Sequence, residues 1–397
     1  MSKFKLYTLI SIICMMSVVF YSFVGFSQSS QPSVRLISPA PESQIIPFEA
    51  EASTPQSPVK LALQAVDSEG KALDNAKFHL EIFTPPHNPW FTTDFPIVEG
   101  TKLLDIETIA PQGQLELQQI LPIRGNYQFK VNVTPVVANA FNPIAQTLTL
   151  SVKENWVKYR NFAILAVVLL IVGLAGGWVI GGSQAVTPGE IAPERVRLLL
   201  SGAIVVAIAA LLFVNISAEV AQSESSTHAH HHDHHASKSV VETDSSGIAR
   251  QQGLQAQLLG DTSTSATVGK PAALQVKVID EKTNQPVQDV LLNIKTTMLE
   301  DGWVNFAYQA VSDTTGKFAW EQGFFDGAPH KLEVEVVPKP NASRQFTPFK
   351  VQKEIEVEGV APPLSVRFIS LAYMTAFVIT GLLVGLRLRR NSLTSVS

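Results

Sequence analysis

Six of the nine histidines in this chain fall within eight residues, Thr227-His-Ala-His-His-His-Asp-His-His235. Neutral imidazole is the commonest protein ligand for divalent transition metals, and a carboxylate inside the run adds a hard oxygen donor. The candidate ligands are His228, His230, His231, His232, Asp233, His234 and His235. The flanks are polar, Gln222-Ser-Glu-Ser-Ser-Thr before and Ala236-Ser-Lys-Ser after, so the imidazoles can rearrange around an ion. Three or four of them would satisfy Zn, and Ni, Co and Cu(II) accept imidazole as well. Ordering such a segment costs chain entropy and supplies no fixed outer shell, so the expected site is loose and poorly selective. Cu(I) would favour sulfur, and the soluble parts hold only Met298. The competing reading is a solvated polar spacer. Protonation near pH ~6.5 would couple any metal affinity to acidity.

Three histidines lie elsewhere. His330 takes the place that Tyr127 holds in an earlier, similar strand, where a side chain closes the mouth of a sandwich. It is a further metal candidate, with Asp326 as its expected polar partner. His79 sits mid-strand and His87 in the turn Pro85-Pro-His-Asn-Pro89, and neither is assigned a partner at ligand spacing. Trp90, Trp303 and Trp320 are expected as core anchors. The chain has no His-Glu-x-x-His pair, no Gly-x-Ser-x-Gly elbow and no phosphate-binding Gly-Lys loop, so no enzyme is expected. Its net charge of −4 argues against nucleic-acid binding.

Elements must carry these residues. The chain is 46% hydrophobic and 16% charged, a balance that suggests membrane spans joined to soluble parts. Four apolar stretches, 6–26, 162–180, 198–214 and 368–386, are close to the roughly 17–25 residues that cross a bilayer as a helix. The first reads either as a signal peptide cut after Ser27, with Gly25 and Ser27 as the small residues, or as an uncleaved anchor. Ile13 is too large to precede a lipidated Cys14, the only cysteine. Lys3 and Lys5, Arg195 and Arg197, and Arg387, Arg389 and Arg390 form three basic clusters that one orientation places in the cytoplasm. Lys153, Lys158, Arg160 and Arg367 then lie outside, against the rule. Glycines in and beside the second and third spans (Gly173, Gly176, Gly177, Gly181, Gly182, Gly202) suit close helix packing, and no intramembrane charge marks a conduction path.

The expected order follows from these spans. Residues 1–27 are a signal or first helix, 34–153 a first exported sandwich, 162–182 a helix, 183–197 a cytoplasmic loop and 198–216 a helix. Residues 217–252 form a His-rich exported linker, 253–358 a second sandwich, 368–386 a helix and 387–397 a cytoplasmic tail. Both soluble segments show short alternating runs broken by Gly, Pro, Asn and Asp, which is a β signature. They look like two copies of one unit. Asn126-Tyr-Gln-Phe-Lys-Val-Asn-Val-Thr-Pro135 lines up with Pro329-His-Lys-Leu-Glu-Val-Glu-Val-Val-Pro338, and each copy is followed by one more strand and an apolar helix. The fold class expected is mainly β plus transmembrane helices: two tandem immunoglobulin-like β-sandwich domains with four apolar helices.

The second segment also carries Val278-Ile-Asp-Glu, Gln285-Pro-Val, Asp313-Thr-Thr-Gly-Lys-Phe318 and Asp326-Gly-Ala-Pro-His330. Over roughly 90 residues it resembles the small exported sandwiches of the YtkA-like and CopC-like families, and transthyretin-like or carboxypeptidase-regulatory modules. The CopC-like resemblance implies a periplasmic copper role through an amino-terminal histidine and methionines. This chain has neither at a mature terminus, so copper specificity does not carry over. The expectation is a multi-pass protein of the inner (plasma) membrane that holds both soluble domains outside. There it captures or presents a divalent metal for a separate transporter or efflux pump. The alternative is an exported interaction scaffold with a His-rich spacer.

Overall fold

The computed structural model describes residues 31–39, 45–49, 56–182, 193, 195–203, 247–260, 265–288, 290–340, 342 and 344–394. The first copy contributes β1 (Ser33–Ser38), β2 (Val59–Val66), β3 (Ala76–Phe83), β4 (Lys102–Ala110), β5 (Gln114–Gln119), β6 (Gly125–Pro135) and β7 (Ile144–Val152). The second contributes β8 (Ile248–Gln251), β9 (Leu254–Gly260), β10 (Ser265–Thr267), β11 (Pro271–Asp280), β12 (Val290–Met298), β13 (Val304–Val311), β14 (Lys317–Gly323), β15 (His330–Pro338) and β16 (Phe349–Glu358). Strict alternation places one side-chain set inside. Tyr127, Phe129, Val131 and Val133 of β6 are buried, as are His330, Leu332, Val334 and Val336 of β15.

The first copy is a three-strand sheet facing a four-strand sheet, β1-β2-β5 against β7-β6-β3-β4, and the second repeats it as β9-β11-β14 against β13-β12-β15-β16, with β8 and β10 added at the outer edges. Matching glycines fix the matching turns that carry the chain from one sheet to the other, β4 to β5 and β13 to β14. Gly113 and Gly316 both have positive φ, and a Cβ on either would meet a backbone oxygen, Leu73 O at 2.3 Å or Val278 O at 2.5 Å.

The expected tandem sandwiches are instead joined edge to edge. β5 pairs antiparallel with β13, and β4 with β14, so two eight-stranded sheets run through both copies. The two seams are equivalent by exchange: Gln119 stands opposite Phe306, and its counterpart Gln322 stands opposite Leu104. This is the self-complementary pattern of a two-fold interface, built within one chain. Pairing the edges satisfies backbone groups that two separate sandwiches would leave open to aggregation. One hydrophobic core spans the whole. At its helix-proximal end Phe48, Phe95, Trp303 and Phe325 interlock, with Phe48 and Trp303 ring centroids 4.8 Å apart. Burial of each such ring contributes about 1.5–3 kcal/mol.

Two long apolar helices follow the last strand of each copy, α1 (Trp156–Ile180) and α2 (Leu364–Thr394). Asn155 caps α1, its side chain accepting from Val157 N. A Cβ on Gly173 would meet Val378 O at 2.2 Å and one on Gly177 would meet Leu382 O at 2.1 Å. The reverse contacts match: Gly381 against Leu170 O and Gly385 against Leu174 O, both at 2.2 Å. Two small-xxx-small faces therefore let the backbones touch, and contacts that rise together in number make the helices parallel. The helix pair extends the two-fold relation of the sheets. Among the described residues two helices, not four, are long and apolar enough to cross a membrane. The 6–26 stretch lies outside the described residues, as does 198–214 beyond the helical residues 195–203.

Candidate functional site

The histidine run, His228 to His235 with Asp233, lies outside the described residues. Among the described residues one group of His, Cys, Asp or Glu brings metal-ligating atoms together: His79, Glu81 and Asp105, with donor atoms within 4.8 Å of one another. None of the three was assigned a metal role from sequence. His79 and Glu81 share the outer face of β3 because they are two residues apart in a strand. Register then sets Asp105 of β4 directly opposite Glu81 and diagonal to His79.

A fourth residue occupies the middle. The pairing of β3 with β4 slips between Ile82 and Phe83, so Lys102 swings to the outer face beside Asp105 instead of pointing into the core. Its ammonium lies 2.6 Å from Asp105 Oδ2, 3.3 Å from Glu81 Oε1 and 3.1 Å from Glu321 Oε2, the last across the seam on β14. Asp105 Oδ1 is also 2.9 Å from His79 Nε2. Burial works against the Lys102 charge, but the hydrogen bonds and charges of Asp105 and Glu321 outweigh it and hold its pKa above the ordinary lysine value. With His79 neutral, three carboxylates against one ammonium leave a net charge of about −2. The cluster already binds a cation, covalently supplied, and has negative charge to spare.

These donors fit a borderline divalent ion: one imidazole nitrogen and two or three carboxylate oxygens at roughly 2.0–2.2 Å, with water completing the shell. Donors around one such ion stand roughly 3.3–3.5 Å apart, so rotamer adjustments of about 1 Å would close the set, and the ion would have to displace Lys102. The two-fold counterparts carry no such group. Opposite His79, Glu81 and Asp105, the other sheet places Asn293, Lys295 and Ala307.

His330 is elsewhere, fully buried at the mouth of the second copy. Its counterpart Tyr127 makes a tyrosine corner, the hydroxyl donating to Ile123 O at 2.8 Å and accepting from Ile123 N at 2.9 Å. His330 reproduces part of this, Nδ1 lying 2.7 Å from Ala328 O. That contact makes Nδ1 the donor and leaves Nε2 a buried lone pair without a partner, beside the Phe324 ring. Burial pushes its pKa down to about 4. The expected pairing with Asp326 is absent, since the Asp326 carboxylate accepts from Gly327 N at 2.8 Å. His87 is bound at Nδ1 to Glu99, 2.5 Å away. Trp303 and Trp320 are buried as expected, but Trp90 is 69% exposed and is no core anchor.

No family model matches the chain, and no curated protein matches it. Among solved structures, a copper-bound variant of FetP from uropathogenic Escherichia coli strain F11 is 10% identical with a TM-score of 0.22, covering 29% of this chain and 97% of that one. A conjugative transposon lipoprotein from Bacteroides eggerthii is 10% identical with a TM-score of 0.19, covering 26% and 98%. The alpha-2-macroglobulin of E. coli is 10% identical with a TM-score of 0.21, covering 83% of this chain and 14% of its own. At these values the likenesses say nothing of what this chain binds.

Proposed function

We propose that this protein is a membrane-anchored collector of divalent transition metal on the extracytoplasmic side of the plasma membrane, serving a separate transporter or efflux pump. The observation that carries this reading is the convergence of His79, Glu81 and Asp105 on the half-buried outer face of one sheet, in a chain that also carries the 228–235 histidine run. The run supplies six imidazoles and so capacity, and the sheet cluster supplies a positioned donor set. Eleven residues separate His235 from Gly247, next to β8 on the edge of the sheet that holds His79. That is up to roughly 40 Å of chain, against roughly 24 Å for the five strand steps from β8 to β3.

The topology proposed with it is multi-pass. Parallel α1 and α2 each leave the same end of the β body, so a pair that crosses the membrane enters it from one side. The chain between Ile180 and Gly247 must then recross, and its apolar stretch at 198–214 is long enough. Arg387, Arg389 and Arg390 in the last turns of α2 favour that side as cytoplasmic.

A second reading has its own support. Lys102 joins β3 and β4 to Glu321 of the other copy, so the cluster also serves as an ionic staple of the seam, as an interaction scaffold would need. Calorimetric titration of the full chain in detergent with Zn, Ni, Co and Cu(II) separates the two. The collector reading expects binding that falls on replacing the six run histidines by serine. A weaker component should then remain and disappear with His79→Ala. No residual component, together with unchanged metal sensitivity of cells carrying the six-serine variant, would leave the scaffold.

A further inference from the structure

We propose that the loop from Pro85 to Asp94 is a membrane-interface anchor that sets Trp90 and Phe91 into the headgroup and upper acyl region of the bilayer. This rests on the reading of α1 and α2 as a membrane-crossing pair.

The loop is built, not slack. Its neck is closed by Thr84 N donating to Thr101 O at 3.0 Å and Gly100 N donating to Pro85 O at 2.8 Å. Three prolines, at 85, 86 and 89, fix much of its backbone. Glu99 accepts from Thr93 N and Thr93 Oγ1, at 3.1 and 2.7 Å, and meets His87 at 2.5 Å. Arg124 donates to Thr92 O at 2.9 Å, and Lys158 of α1 pairs with Asp94. Just beyond, Phe95 is rooted in the aromatic core. At the tip, the Asn88 side chain accepts from Trp90 N and Phe91 N, which turns both rings outward. Trp90 is 69% and Phe91 62% exposed.

Soluble surfaces seldom hold two adjacent large aromatics out on an ordered tip, whereas Trp and other aromatics at the membrane–water interface are common. The position of the tip identifies the partner. Tyr373 of α2 donates to Trp90 O at 3.1 Å, and its ring stacks on Phe91 at 6.4 Å. Tyr373 lies five residues past Phe368, where the apolar run of α2 begins, which is about 8 Å of helix rise. The loop therefore reaches beyond the polar boundary of the helix to interfacial depth. Lys153 and Arg160, which oppose the positive-inside pattern, lie at this same end and suit lipid phosphates. The second copy lacks the device: its short Leu299–Gly302 connection leads to a buried Trp303.

The test uses the full chain in phosphatidylcholine–phosphatidylglycerol nanodiscs, in a Cys14→Ser background. A spin label is placed at Trp90→Cys, at Val168→Cys on the outside of α1, or at Val137→Cys just past the far end of β6. Collision with oxygen and with chromium oxalate reports depth; the oxalate avoids nickel reagents that the histidines would bind. The expected order is Val168 deepest, Trp90 intermediate with oxygen favoured, and Val137 aqueous. An aqueous Trp90 beside an embedded Val168 overturns the anchor alone, whereas an aqueous Val168 overturns the membrane reading with it. Low collision with both reagents at Trp90 means a protein partner covers the tip, which also overturns the anchor. A second measurement keeps the native loop. Brominated lipids should quench more fluorescence in the unsubstituted protein than in Trp90→Phe, and equal quenching counts against insertion.

Discussion

At the residue scale the cluster on β3 and β4 turns on Lys102. A divalent ion and this ammonium compete for the same oxygens, so Lys102→Met should raise metal affinity at the cluster about tenfold or more. The change should be read by calorimetry in the six-serine background, where the run does not mask it. Unchanged affinity would mean that the ion does not use Asp105 and Glu81. His330 gives a pH prediction. Its pKa is about 4 folded and about 6.5 unfolded, so the unfolded chain takes up the proton first as pH falls. Stability is complete above pH ~6.5 and declines toward pH ~4, by about 3 kcal/mol in all. His330→Phe should flatten that part of the pH profile of denaturant unfolding, and a profile identical to the parent would sink the assignment. The sequence showed part of each site. His79-x-Glu81 is readable as one strand face, and the match of His330 to Tyr127 followed from aligning the copies. Asp105, Lys102 and Glu321 were not readable, because strand register, a bulge and a seam between copies bring them in.

At the element scale the helix pair depends on glycines of defined facing. Gly177→Leu should drive a side chain into the Leu382 backbone, whereas Gly176, with nothing within 4 Å, faces away. Gly177→Leu is therefore expected to lower the thermal midpoint of the purified protein by several degrees, and Gly176→Leu to leave it within error. Equal effects would mean that the helices do not pack through this face. Apolar length and the first glycine face were legible in the sequence. Its complement, Gly381 and Gly385, was not recognised, since only the packing shows which faces meet. Trp90 failed as an expected core anchor for a related reason: an aromatic after a strand is buried or presented according to the loop that carries it.

At the scale of the whole molecule the chain behaves as a two-fold dimer whose halves are covalently joined. The seams, the single core and the helix pair all hold the copies together. A protease site placed in the 217–246 segment and cut after folding should leave two fragments that co-purify in detergent. Fragments that separate without denaturant would contradict the edge-to-edge joining. The sequence by itself determined the β class, the duplicated strand order, the two apolar helices that end the copies and the presence of a histidine run. Those rest on local periodicity and composition, which each stretch of chain carries within itself. Only the tertiary structure decided that the sandwiches share their sheets, that a histidine and two carboxylates meet around a lysine, and that one loop turns its aromatics toward the helices. These depend on register and on contacts between residues as much as 283 apart, as Trp90 and Tyr373 are, and no local pattern encodes such a meeting.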